Sequence, residues 1–305
     1  MLNADIKAGK GVCYIDPHGQ DLLDHVLPYI PKERAEDVII FDASDIERPL
    51  GLNVFEAKTQ EEKDFIVQEV RSFLYKLYDP GNTGQIFGPR WDHWFRMASL
   101  LLMSDPNGST LIDLGRIYTD EDFLARKFRY VTDPVVKNFI LNEYAKTSER
   151  DRSEMVGYFV GKFSAFMGNE TMRNIMGQTE SSFNIREIMD GKKILLVNLS
   201  KGLIGDLNMR ILGMIFVAKI LMAAMSRADT PEEQRNDFYL YVDEFQNFAT
   251  DTFSSILSEA RKFRLDLIVT NQYIGQMPEE VKDAIFGNVG RSEERRVGKE
   301  CRSRW

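Results

Sequence analysis

Two cysteines, Cys13 and Cys301, are all that this 305-residue chain contains. They are too few and too far apart for a disulfide framework or a zinc site, and they fit a reducing compartment. The three histidines, His18, His25 and His93, follow no metal-binding spacing. No run of eighteen or more apolar residues occurs, and no signal peptide, internal repeat or low-complexity segment is visible. The closest approach to a membrane span is ILGMIFVAKILMAAM, residues 211–225, which Lys219 interrupts. It reads as a helix buried against a sheet. Basic residues are the minority, 39 against 47 acidic, for a formal net charge of −8. That argues against a globally basic nucleic-acid binder, though not against a surface that is basic only locally, such as the lumen of a ring. What is present is ordinary for a folded chain: 43% hydrophobic and 28% charged residues. Such a chain can bury one large core, or one core with an inserted second unit.

Both ends read as abrupt. The last fifteen residues, RSEERRVGKECRSRW, carry six basic and three acidic residues and almost nothing apolar. They resemble the in-frame translation of a sequencing-library adapter, so residues 291–305 are expected to be a non-native tail. Without them the balance is 33 basic to 44 acidic. At the other end, a short helical pattern over Met1–Ala8 is followed by Gly9 as a C-cap and by a strand.

Five apolar, β-branched or aromatic runs bounded by turn residues read as strands: 11–15, 37–41, 193–199, 237–242 and 265–270. Helical patterns separate most of them, which predicts βα units and a mostly parallel sheet. Each run ends in polar residues: Asp16, Asp42, Ser200, Asp243 with Glu244, and Asn271 with Gln272. In open α/β sheets, ligands bind outside the carboxyl ends of the strands. Between the second and third runs lie about 130 residues without a strand of comparable quality. There, 60–78, 89–103, 120–131 and 153–167 show three-to-four-residue apolar spacing, joined by DPGNTG, SDPNGST and TDP turns. The expectation is an α/β core divided as 1–56 and 186–290, with an all-helical domain over 57–185 inserted into it. Trp91 and Trp94 are expected in helix core.

The run at 238–242 stops at two adjacent carboxylates, costly at the end of a buried strand unless something there uses them. The pattern looks like a Walker B motif. Asp243 would hold Mg²⁺ through its water shell, and Glu244 would orient or deprotonate an attacking water. The bland alternative is an acidic pair capping a helix that opens at DEFQNF. Gln272 would lie beside a γ-phosphate, or serve only in loop hydrogen bonding. Arg261, with Lys262 and Arg264, either meets a helix macrodipole or reaches a neighbouring subunit's nucleotide. Asp16, in DPHG, is a candidate nucleotide-binding residue, and His18 a loop residue near the nucleotide. A phosphate loop, GxxxxGK[ST], is missing from the chain. The order strand, phosphate loop, helix, strand places it upstream of Met1.

Taken together, AGKGVCYIDPHGQ, LLVNLSKG, FYLYVDEFQNFAT, LSEARKFRLDLIVTNQYIGQMPEEV and AIFGNVG resemble the conjugative coupling proteins of type IV secretion systems, in the HerA/FtsK-like branch of P-loop motor ATPases. The resemblance implies a RecA-like core with an inserted all-helical domain, homo-hexameric rings, ATP and Mg²⁺ as cofactors, and DNA pumped at the cytoplasmic face of the inner membrane. It also implies a relaxase and secretion-channel proteins as partners, and a membrane segment not contained in 1–305. By the same resemblance Asp243 matches the Walker B aspartate, Glu244 the catalytic glutamate, Gln272 the polar residue closing the adjacent strand, and Arg261 a trans-acting arginine. Without the phosphate-loop lysine, these residues alone are expected neither to hydrolyse ATP nor to move DNA. Alternatives are a HerA-type DNA-processing translocase and a non-catalytic adaptor without a P-loop.

Overall fold

The structure is a computed structural model that describes residues 1–80, 83–84, 86–250, 260–271, 282–283 and 287. Its five strands are β1 (Gly11–Asp16), β2 (Val38–Asp42), β3 (Ile194–Asn198), β4 (Phe238–Val242) and β5 (Leu265–Val269). They coincide with the five apolar runs to within a residue or so. They form one sheet in the order β2-β3-β1-β4-β5, and every pairing is parallel. The register is flush: Ile15 stands opposite Val197 on one side and Val242 on the other. Flush parallel strands deliver all their carboxyl ends to one edge, so the polar residues that close the strands assemble there.

Before β1 comes α1 (Leu2–Lys7), followed by Gly9 at φ 78°, the left-handed residue expected beyond a helix end. Among the described residues the chain between β2 and β3 is helical. It holds α2 (Gln60–Tyr78), α3 (Pro89–Leu102), α4 (Glu121–Phe128), α5 (Pro134–Asn138), α6 (Glu149–Gly161), α7 (Ser164–Met167), α8 (Glu170–Met176) and α9 (Ile185–Asp190). After β3 come α10 (Lys201–Ile204) and α11 (Asp206–Ser226). A Thr59/Glu62 capping box starts α2 where the apolar periodicity begins. Trp91 is 1% exposed and packs among Phe87, Phe95, Phe159 and Phe163 at centroid distances of 4.6–6.5 Å, so it is helix core. The helical stretch and one face of the sheet share a single apolar cluster.

The apolar run at 211–225 lies inside α11, which is long and apolar enough to cross a membrane but is buried on the sheet and on α2 and α9. Its charged residue has a structural explanation. Lys219 is 6% exposed, and its Nζ donates to Asn53 O (2.5 Å), Glu56 Oε2 (2.5 Å) and Ser181 Oγ (3.1 Å). Burial alone would raise the Glu56 carboxyl, but the Lys219 charge and the Ser181 hydrogen bonds outweigh it and hold Glu56 low. Burial pushes the Lys219 ammonium down, against the Glu56 charge and hydrogen bond that favour its charged form. The same place joins the two passages between sheet and helices. Gly51 N donates to Ser182 Oγ (2.7 Å), Ser182 N to Gly51 O (3.0 Å) and Asn53 N to Ser181 Oγ (3.0 Å).

Candidate functional site at the carboxyl ends of the strands

The acidic pair emerges in the middle of the sheet, between β1 and β5. Val242 is 1% exposed, and the chain leaves the sheet at once because Glu244 adopts the left-handed conformation, φ 46° and ψ 47°. A non-glycine residue holds that conformation only where its surroundings impose it. Here they do. Asp243 N donates to Ile15 O (3.1 Å) and Phe245 N to Thr270 O (3.1 Å), so the turn is stitched to the strand on each side. Gln246 N adds a bond to Asn271 Oδ1 (3.2 Å). A single 3₁₀ turn, Phe245–Asn247, follows, with no side-chain cap from Glu244. The capping role for the acidic pair is therefore not realised.

Glu244 is instead held by its carboxylate oxygens. His18 Nε2 lies 3.3 Å from Oε1, and Asn247 Nδ2 donates to Oε2 (3.2 Å). Its side chain is 12% exposed, a position from which a carboxylate can meet a water without being bathed in solvent. Asp243 accepts on Oδ1 from Glu244 N (2.9 Å) and from Thr270 Oγ1, while Oδ2 has no partner among the described residues. A half-exposed carboxylate with one oxygen to offer suits Mg²⁺, which keeps most of its water shell and takes one or two protein oxygens beside a phosphate. Among the described residues no three metal-ligating side chains converge.

Asp16 is fully buried. Its Oδ1 accepts from His18 N (2.8 Å) and its Oδ2 from Leu22 N (2.9 Å). Both oxygens are thus spent on folding the loop 17–22 back over the sheet, and Asp16 shapes the site through that loop. Gly19 in the same loop, at φ +82°, rests on Asn198 at the end of β3, where a Cβ would come within 2.2 Å of Oδ1. Only glycine fits there. The loop so formed carries His18 to Glu244, a contact that sequence reading left as loop placement. Thr270 was also missed, since a threonine ending a strand carries no signal of its own.

Arg261 lies elsewhere. It opens the 3₁₀ turn Arg261–Phe263 that precedes β5, at the amino ends of the strands. A five-residue strand separates it from the acidic pair, about 16 Å. That turn is anchored by Arg227 Nη1, which donates to Phe263 O (3.1 Å) and Asn236 O (2.9 Å). Beside it Lys10, Lys192, Arg235 and Arg264 line a cleft of about 310 Å³. The structure therefore brings together Asp243, Glu244, His18 and the loop of Asp16, and leaves Arg261 at the opposite end of the sheet. Gln272 and the tail 291–305 lie outside the described residues.

No protein-family model matches this sequence, and no curated protein matches it. Solved structures do match in fold. One is a bacterial conjugative coupling protein, TrwBdeltaN70, in an unbound monoclinic form. It has a TM-score of 0.55 and 16% identity over 93% of this chain and 60% of that one. Another is the plasmid coupling protein TrwB in complex with the non-hydrolysable GTP analogue GDPNP, with a TM-score of 0.51 and 15% identity over 94% of this chain and 61% of that one. The present chain thus spans about three fifths of the length of these structures. Its wholly parallel five-stranded sheet with surrounding helices is the α/β, RecA-like fold of a bacterial conjugative coupling protein.

Proposed function

We propose that this chain is part of an ATP-driven, DNA-translocating motor of the conjugative coupling-protein family, with its nucleotide site at the carboxyl ends of β1, β4 and β5. The observation that carries the proposal is the Asp243–Glu244 pair, held in a left-handed turn whose backbone N–H groups donate to carbonyls on both sides, Ile15 O and Thr270 O. In this reading Asp243 holds Mg²⁺ through its water shell, and Glu244 orients and deprotonates the attacking water. Bound Mg²⁺ supplies charge neutralisation at the phosphates. His18 and Asn247 keep the Glu244 carboxylate directed, and Gln272, three residues past β5 in sequence, would serve beside the γ-phosphate. Arg261, at the other end of its own sheet, serves the nucleotide of a neighbouring subunit in a homo-hexamer. Residues 57–185 form the inserted helical domain that engages substrate. DNA, a relaxase, secretion-channel proteins and a membrane segment outside this chain are the remaining partners of the motor, which works at the cytoplasmic face of the inner membrane.

The test is ATP turnover by the complete gene product with and without DNA. Turnover should be stimulated by DNA and should fall by about 100-fold or more in Glu244→Gln, with nucleotide affinity kept. Residues 1–305 alone should show none, because they contain no GxxxxGK[ST]. A complete protein without turnover, or a Glu244→Gln variant as active as the parent, overturns the reading.

A further inference from the structure

The segment that follows Glu244 is held from outside the sheet. Lys76, in the last turn of α2, places Nζ 2.9 Å from Gln246 O and also donates to Ala249 O. About two helical turns earlier, Glu69 Oε2 accepts from Thr250 Oγ1 (3.2 Å), with both residues buried. Between these two ties, Phe248 is fully buried against α11, where Gly213 leaves room for its ring; a Cβ there would come within 2.1 Å of it. The carbonyls that Lys76 meets belong to a 3₁₀ turn and its exit, where backbone acceptors lack partners within the turn. An ammonium across two such carbonyls both satisfies them and meets the negative end of the turn's dipoles. The turn in question begins at Glu244 and contains Asn247, which donates to Glu244 Oε2. A shift of α2 relative to the sheet would therefore be transmitted through Lys76 to the turn that orients the Glu244 carboxylate.

We propose that Lys76 is a positioning residue for Glu244, the link through which the helical stretch between β2 and β3 sets the geometry of the acidic turn. The coupling to catalysis rests on the function proposed above; the mechanical link does not. Hydrogen exchange by residues 243–250 in the 305-residue chain tests the link directly. Lys76→Met keeps the length of the side chain and removes the donor, and Lys76→Arg keeps the donors. Lys76→Met should raise exchange across 245–249 about tenfold and leave β3 unchanged, and Lys76→Arg should restore protection. Unchanged exchange at 245–249, or an equal rise in β3 that marks a general loss of stability, overturns the proposal. In the complete protein, Lys76→Met should lower kcat several-fold at constant KM for ATP. A parent without turnover would defeat the proposed function and leave the exchange result to decide on Lys76. A parent with turnover and a Lys76→Met variant of equal kcat would defeat the positioning role alone.

Discussion

At the amino ends of the strands, charged side chains are spent on structure. Arg34 Nη1 donates to Ile6 O (3.0 Å) and Lys10 O (2.8 Å), its Nη2 reaches Lys192 O, and Nε meets Asp37 (3.2 Å). Lys193 pairs with Asp37 (3.0 Å), Lys10 with Asp5 (3.0 Å) and Arg264 with Asp237 (3.3 Å). At the carboxyl ends the acids are held by different partners: backbone N–H groups, a threonine hydroxyl, an asparagine amide and the His18 imidazole. The contrast follows from what each end has to do. Ion pairs neutralise a carboxylate, whereas hydrogen bonds from amides and hydroxyls fix its direction and leave its charge available to a metal or to a water. Carboxylates tied into ion pairs fix the chain in place; carboxylates that keep their charge can bind a metal or a water.

Substitutions at the two ends should therefore read out differently. The largest effect belongs to Glu244→Gln, whose expected loss of turnover of about 100-fold or more should come with a nearly unchanged urea midpoint, because an amide fills the same space and keeps an acceptor for Asn247. Stability loss equal to that of an amino-end variant would erase the distinction. Arg34→Ala should show the reverse. Leaving part-buried carbonyls without their charged donor should cost about 1–3 kcal/mol of unfolding free energy, measured in urea, with little change in kcat. The comparison sharpens with pH. The Lys193 ammonium, and Arg34 after it, hold the Asp37 carboxyl below its ordinary value of 3.8. A carboxyl depressed on folding contributes stability that is complete above its unfolded value and lost as pH falls through the folded one. Acid titration of stability should steepen below pH 3.8 in the parent and flatten there in Asp37→Asn. The smallest effect is a gain. Lys192 is exposed and left-handed, φ 52°, so Lys192→Gly should stabilise by about 1 kcal/mol. Glu244→Gly relieves the same kind of backbone but forfeits the His18 and Asn247 contacts, and should give no such gain in a thermal melt.

The strands were legible because each is a short apolar run closed by a polar residue, as the inner strands β1, β3 and β4, buried on both faces, require. Gln60–Tyr78 was readable to its ends, where the Thr59/Glu62 box and the apolar stripe agree. Short helices such as Pro134–Asn138, Glu170–Met176 and Lys201–Ile204 were not, since two turns carry too few positions for a period to show. The run at 153–167 proved to be two helices, Glu149–Gly161 and Ser164–Met167. At the site, Asp243 and Glu244 stood out by charge against an apolar strand. His18, Thr270 and Lys76 did not, because their partners lie between 27 and 226 residues away in sequence and only the fold brings them together. Asp16 was readable as a strand-ending acid, but its use as the organiser of loop 17–22 depends on two backbone N–H groups whose positions follow from the loop itself.

The paired passages at Gly51–Asn53 and Ser181–Ser182 bear on how such a chain can be inherited. β2 and β3 are neighbours in the sheet, Val38 beside Ile194, although some 150 residues separate them along the chain. All of that intervening sequence leaves and returns through one doorway, which Lys219 bolts from the inside with Glu56 and Ser181. A segment whose two ends meet can lengthen, shrink or be exchanged by recombination without altering a single strand pairing. The sheet and its acidic turn can thus stay constant while the helices diversify. The bolt, the Lys76 contact, the Glu69–Thr250 bond and the packing of α2 on α11 are points at which any replacement would have to match.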